Sequence, residues 1–290
     1  RRELCGIALE KGNIMSEEKN NIPKVIHYCW FGGNPIPELA QQCIASWKKY
    51  LPDYQIKEWN ESNFDLNCCD YVKEAYQAKK WAFVSDYARF WILYNYGGLY
   101  FDTDVEIIKD MSDIIAQGAF IGCETIDKCA SGLGANPGLG LGANPGLGLY
   151  KEILDFYSSI HFTTEVGHIP TVVDYTTSIL QKHGWAGTNE ISKVSEITIY
   201  PPEYFCPYNF ATGVMNITDH TVSIHHYAAT WHTRMDKVIS SIERCDKEKH
   251  PISYRFRRVV SLPFRVINKL KRIGVRKTVQ VAKNKLRADV

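Results

Sequence analysis

Hydrophobic positions along the chain fall into stretches with two different periods. Pro23 opens a continuous apolar run from Lys24 to Phe31, of strand length, closed by Gly32-Gly33-Asn34-Pro35. Glu38 to Tyr50 places Leu39, Cys43 and Trp47 on one helical stripe, and Tyr54 to Trp59 alternates as a second strand. That β-α-β order predicts parallel strands joined by a right-handed crossover. From Ala75 to Tyr96 the residues Ala75, Ala78, Ala82, Trp91, Ile92 and Tyr96 recur at helical spacings, which predicts one buried helix stopped by Gly97-Gly98. Leu99 to Val105 then alternates, and its period of two predicts a strand with Asp102 and Asp104 on one face.

Farther on, Phe120 to Glu124 reads as a strand, Leu149 to Ile160 and Thr171 to His183 as helices, and Ile197 to Tyr200 and Thr221 to Trp231 as late strands. Between them Gly132-Leu-Gly-Ala-Asn-Pro-Gly-Leu139 is repeated unchanged as residues 140–147. So much Gly, Asn and Pro predicts a loop. The fold class is therefore α/β with a mostly parallel central sheet.

Four ionisable residues stand out against this apolar background: Asp86, Arg89, Asp102 and Asp104. Two carboxylates at one strand end repel, and a hard divalent cation, Mg²⁺ or Mn²⁺, is the economical partner and can share substrate phosphates. Asp86 and Arg89 at i and i+3 share a helix face and can offer an acceptor and a donor to a polyhydroxylated ligand. Neither GxGxxG nor a P-loop occurs, so phosphate binding must rest on a metal or on side chains. His225 and His226 are neighbours on a strand, so at most one of them reaches a given site.

The block Ser85-Asp86-Tyr-Ala-Arg89 followed by Tyr96-Gly97-Gly98-Leu-Tyr100-Phe-Asp102-Thr-Asp104 resembles the signature of the DXD-motif retaining glycosyltransferases of family 32. These include initiating mannosyltransferases and bacterial capsular polysaccharide transferases and, distantly, the clostridial glucosylating toxins. The resemblance runs from about Ile22 to Trp231 by segment order. It implies a GT-A-like nucleotide-sugar-binding fold, Mn²⁺ (or Mg²⁺) held by Asp102, Asp104 and His226, and retention of anomeric configuration. Trp30 would stack on the donor base, Tyr100 would join the donor site, and Trp231 would close over the diphosphate, with Thr230 or His232 as phosphate donors. The family has one Asn-x-Pro-Gly segment beside the sugar. Here Asn136 and Asn144 compete for it, and Asn144, nearer the following helix, is the choice. Two other classes remain open: an inactive nucleotide-sugar-binding scaffold, and a metal-dependent nucleotidyl or phosphoryl transferase.

Charge divides the chain in two. Residues 251–290 hold twelve Lys and Arg against one Asp, +11, so the overall +2 leaves −9 on residues 1–250. The expected organisation is a leader over 1–21, a GT-A-like domain over 22–250, and a basic amphipathic segment from 251, broken at Pro263 and Gly274, that lies on an anionic membrane surface. An acidic body argues against nucleic acid. Nine cysteines without a CxxC pair predict reduced thiols and a cytoplasmic protein, on the inner face of the membrane. The expected partners are a nucleoside diphosphate sugar and a glycan or glycolipid acceptor.

Overall fold

A computed structural model describes residues 22–125, 133–163, 170–210, 212–228, 234–245 and 249–288. The leader over 1–21 and the residues Thr230, Trp231 and His232 lie outside the described residues.

Strand β1 (Val25–Cys29) leads through a turn to helix α1 (Glu38–Tyr50), whose Ala40, Cys43 and Trp47 are buried, and then to strand β2 (Gln55–Trp59). β1 and β2 pair in parallel with Ile26 opposite Ile56, as the β-α-β order requires. The expected single helix over 75–96 is two: α2 (Asp70–Gln77) and α3 (Trp81–Tyr96). Lys79 adopts φ 56°, while the Lys79 and Lys80 N–H groups donate to the Tyr76 and Ala75 carbonyls. This closes α2 with a Schellman turn built on a lysine. Glycine would have announced such a turn; lysine did not.

α3 is buried over most of its circumference, from Phe83 to Leu93, and ends at Gly97 (φ 65°). A side chain at the next residue, Gly98, would bring its Cβ within 2.6 Å of the Val25 carbonyl, so only glycine lets strand β3 (Gly98–Tyr100) run against β1. The strand expected over Leu99 to Val105 is interrupted. The chain leaves the sheet after Tyr100, turns through residues 101–104, and re-enters a different, two-stranded sheet as β4 (Val105–Ile107). The Asp-x-Asp pair thus sits on a turn between two sheets rather than along one strand face.

After helix α4 (Ser112–Ala116) comes strand β5 (Phe120–Thr125). The repeated octapeptide is not a loop. Its first copy supplies β6 (Leu133–Ala135), paired with β5, and its second supplies β7 (Leu141–Ala143), inserted between β3 and β5. Glycine, which argued for a loop, is what the packing needs: a Cβ on Gly142 would collide with the Phe120 ring, and one on Gly140 would crowd Phe205 and Phe101.

Helices α5 (Gly148–Ser158) and α6 (Val172–Lys182) follow, the latter started by a Thr171/Asp174 capping box. Strands β8 (Ser192–Val194) and β9 (Ile197–Tyr200), helix α7 (Pro202–Phe205), strand β10 (Ser223–His225) and helices α8 (Arg234–Glu243) and α9 (Pro251–Ala288) complete the chain.

The large sheet has the order β2-β1-β3-β7-β5-β9-β8. Its pairings make β2, β1, β3, β5 and β9 run one way and β7 and β8 the other, so most strands are parallel in direction. Alternation along β5 sends Ile121 into an apolar cluster with Phe90, Tyr150 and Tyr157, and Phe120 into a second with Trp47, Phe101 and Phe205. The sheet is covered on both faces, and its strand ends carry the polar groups. α9 departs from expectation: it runs for 38 residues through Pro263 and Gly274 as one helix. Leu262 and the Arg residues near both breakers are good helix formers, and α8 packs along the helix as a hairpin partner.

Candidate functional site

At the ends of β1 and β3 lies a cavity of about 720 Å³, within the range of small-molecule sites. Trp30, Asp86, Arg89, Asp102, Asp104 and His225 are among its lining residues.

Its floor is an ionic triad. α3 carries Asp86 and Arg89 one turn apart, and the Arg89 guanidinium reaches the Asp86 carboxylate at 2.9 Å and both oxygens of Asp102 at 3.2 and 3.3 Å. Its Nε donates to the Ser85 carbonyl, and Tyr100 lies beneath its plane, 5.0 Å from ring centroid to guanidinium carbon. Arg89 is only 3 % exposed, so both carboxylates are needed to hold its charge. Burial pushes the Asp86 carboxyl up to about 7, with Arg89 pulling the other way and Asp102 adding to the rise. For Arg89, burial favours loss of the proton, but Asp102 and Asp86 outweigh it and keep the guanidinium charged.

Tyr100 does not line the cavity. It stands behind the motif and donates from its hydroxyl to Asp102 Oδ1 at 3.1 Å. Asp102 is also pinned from the other side, because its N–H donates to the Gly138 carbonyl and a Cβ on Gly138 would collide with its carboxylate.

Asp104 is held separately. Its Oδ1 lies 3.3 Å from His225 Nε2, and its Oδ2 accepts from the Ala228 N–H at 2.8 Å. Burial alone would raise the Asp104 carboxyl, but His225 and these hydrogen bonds lower it below the usual range. His225 answers in kind: burial works against its charged form, and the Asp104 carboxylate raises it well above an ordinary histidine.

Here the structure departs from the residue set read above. It puts His225, not His226, beside Asp104; His226 turns to Glu106, 2.9 Å away, and is not among the cavity's lining residues. The cause is register. β10 pairs antiparallel with β4, His225 opposite Val105, and successive residues at a strand end point to opposite sides.

The asparagines divide similarly. Asn136 is buried in the cavity wall, its Oδ1 accepting from the Gly138 N–H, while Asn144 is half-buried in the turn before α5 and is not among the cavity's lining residues. Trp30 is among the cavity's lining residues, with its indole N–H on the Asn34 carbonyl.

Sequence reasoning missed the wall formed by Glu124 and Tyr227, with Cys206 behind them. The Tyr227 hydroxyl donates to Glu124 at 2.6 Å and lies 3.1 Å from the Cys206 sulfur, and ligand atoms of Glu124, Cys206 and His225 lie within 4.8 Å of one another. No local pattern joins residues 124, 206 and 227; only the fold does. The carboxylates of Asp102 and Asp104 facing one cavity suit a hard divalent cation, and the His225 imidazole against Asp104 would add a nitrogen donor on losing its proton.

With this geometry in place, comparison with known proteins shows what the chain is similar to. Residues 37–121 match the family described as glycosyltransferase sugar-binding region containing DXD motif. That segment contains Asp86, Arg89, Asp102 and Asp104, so the similarity falls on residues that line the cavity.

Among characterised relatives, the chain is similar to inositol phosphoceramide mannosyltransferase 1 of Schizosaccharomyces pombe, 32% identical over 115 residues, which is 36% of this chain and 34% of that protein. Inositol phosphoceramide mannosyltransferase 3 of the same yeast is 31% identical over 112 residues, covering 37% and 31%. The match thus spans about a third of the length of these relatives. Solved structures that align include the PaToxG glycosyltransferase (18% identity, TM-score 0.42, 57% of this chain and 70% of that one). Another is a glycosyltransferase involved in the glycosylation of the major capsid of PBCV-1 (10%, TM-score 0.39, 71% and 94%).

Proposed function

We propose that the protein moves a hexosyl group from a nucleoside diphosphate sugar to a glycan hydroxyl, with retention of anomeric configuration and with help from Mn²⁺ or Mg²⁺. The observation that carries this reading is the buried Asp86–Arg89–Asp102 triad opening, together with Asp104, onto one cavity of sugar-nucleotide size. Such a triad is costly in a core and brings nothing there that apolar residues would not. Facing a ligand, it offers fixed acceptors and a fixed donor for sugar hydroxyls. Asp86 and Arg89 would orient the hexose, Asn136 would take the place first given to Asn144, and Trp30 would flank the base. Asp102, Asp104 and His225 would hold the cation, which when bound supplies positive charge to the departing diphosphate. Tyr100 and the Gly138 backbone keep Asp102 in place. Retention follows from the family resemblance, and the mannosyltransferase relatives support a hexose.

The acceptor is read as a lipid-linked glycan of the capsule or surface polysaccharide kind, met at the inner face of the cytoplasmic membrane. The free state of every described cysteine fits a reducing compartment. The test is a panel of nucleoside diphosphate sugars with Mn²⁺ and glycan acceptors, read by mass spectrometry. Release of free nucleoside diphosphate with sugar transfer is the expected result, abolished in Asp104→Ala at unchanged circular dichroism. Binding without turnover would instead make the chain a scaffold, and release of pyrophosphate or monophosphate a nucleotidyl or phosphoryl transferase.

A further inference from the structure

α9 is an amphipathic helix turned inside out. Ile252, Phe256, Val259, Pro263 and Val266 follow one another at steps of four, three, four and three, so they form one seam along the helix. That seam faces outward: Ile252 is 83%, Phe256 69%, Val259 68% and Val266 44% exposed. The residues of the opposite side are polar and face α8. Ser261 and Asn268, one heptad apart, are buried, with the Ser261 hydroxyl on Glu243 and the Asn268 amide donating to Asp236 at 2.6 Å. Arg258 and Arg265 reach the same Glu243 at 2.9 and 3.2 Å, and Arg257 donates to the Arg244 carbonyl at 3.1 Å. α8 therefore satisfies the polar face of α9 and leaves its apolar face to something else. A contiguous exposed apolar seam of this kind marks an interaction surface.

Charge identifies the occupant. Besides Arg257, Arg258 and Arg265, which face α8, residues 251–290 hold nine Lys and Arg against one Asp; a second copy of the chain would bring like charge against them, whereas an anionic lipid surface meets them with its opposite. The −9 carried by the rest of the chain would be repelled by that surface, which leaves the α8–α9 hairpin as the side that approaches it. At 1.5 Å per residue α9 is about 57 Å long, but no described helix is apolar enough to cross a membrane, so it can lie on a bilayer and not span one. The hairpin is also tied to the cavity. The Arg244 guanidinium lies 5.2 Å from the Phe210 ring of the cavity lining, Phe210 lies 5.1 Å from Tyr227, and Tyr227 lies 4.1 Å from His225.

We infer that α9 docks on an anionic bilayer through the seam Ile252-Phe256-Val259-Val266, bringing the cavity to a lipid surface. This extends the reading of a lipid-linked acceptor given above but rests on separate residues. Sedimentation of the full chain with phosphatidylcholine vesicles, with and without phosphatidylglycerol, tests it. The chain is expected to pellet with the anionic vesicles only, less so as salt is raised, and the triple variant Phe256→Glu, Val259→Glu, Val266→Glu to bind them at least about tenfold more weakly. All three side chains are exposed, so helicity by circular dichroism should not change.

The inference is overturned if the wild type stays in the supernatant with both vesicles, or if the triple variant binds as well as the wild type. It is equally overturned if the wild type is a dimer by light scattering that the triple variant converts to monomer. Nucleoside diphosphate release toward a soluble acceptor should be the same in both chains. If that release is missing from both while vesicle binding persists, the sugar-transfer reading fails and the docking surface stands.

Discussion

The triad beneath the cavity and the outer seam of α9 break the rule of burial in opposite senses. One puts Asp86 and Arg89 into the core beside half-buried Asp102, with Arg89 only 3% exposed; the other puts Phe256 into water at 69%. Each is expensive where it stands, the first through desolvation and the second through ordered water, and neither improves the fold that carries it. The difference lies in what each waits for: the dry charges suit a polar ligand that enters a cavity, and the wet apolar seam suits an apolar surface that comes from outside. Groups that cost stability in the isolated chain are thus the most informative about what binds it.

The contrast can be broken most forcefully at Arg89. Arg89→Ala leaves Asp86 and Asp102 without their shared cation, and the loss should be about 3–5 kcal/mol of unfolding free energy by urea denaturation. The Phe256→Glu change should stay within about 0.5 kcal/mol in the same assay. Equal losses would mean that α9 is packed as part of the core and the comparison is wrong.

Within the cavity, Asp104→Asn keeps the shape of the side chain and removes its charge, so transfer should fall about 10²–10³-fold, and the melting temperature should fall too, because buried His225 loses its anionic partner. A variant that retains transfer would release Asp104 from the site.

A third buried polar group sharpens the contrast by being purely structural. His27 accepts the Trp59 indole N–H at its Nδ1 and so donates from Nε2 to the Gly97 carbonyl, joining β1 to the end of α3. Burial lowers its pKa from 6.5 to about 4, the Gly97 contact opposing and Lys57 assisting. The unfolded chain therefore takes up the proton first on acidification. The stability contributed by neutral His27 is complete above about pH 6.5 and is lost as pH falls toward 4. It amounts to roughly 3 kcal/mol by linkage. Urea midpoints of wild type and His27→Gln across that range should converge at the acid end; parallel profiles would contradict the assignment.

The smallest effects separate the two copies of the repeat. Gly138→Ala drives a Cβ into the Asp102 carboxylate and should cost transfer, whereas Gly146→Ala meets open space and should cost only about 1 kcal/mol of stability, because its φ is 81°. Loss of transfer in the second variant alone would return the sugar site to Asn144.

Much of this was legible in the chain. The parallel β-α-β start, the burial of α3, the glycine stop at Gly97-Gly98 and the shared helix face of Asp86 and Arg89 all follow from local periodicity, because neighbours on a helix or strand are neighbours in space. The errors have two causes. The Lys79 turn is local but is built on a residue type that does not signal it, whereas the exit of the chain between Tyr100 and Val105 and the choice between His225 and His226 depend on β4 pairing with β10, more than a hundred residues away, which no local pattern encodes.

The repeated octapeptide makes the division plain. By itself the sequence argued only for a loop in Leu-Gly-Ala-Asn-Pro-Gly-Leu, since Gly, Asn and Pro favour turns. Only the tertiary structure decided that one copy would edge β5 and carry Asn136 into the cavity, while its twin would fill the gap between β3 and β5 and leave Asn144 outside. Two identical segments cannot differ in local propensity, so packing partners alone separate them. The same holds for α9: its amphipathic pattern was written in the chain, but which face met water was settled by Glu243 and Asp236 on α8, whose acidic side chains claimed the polar side.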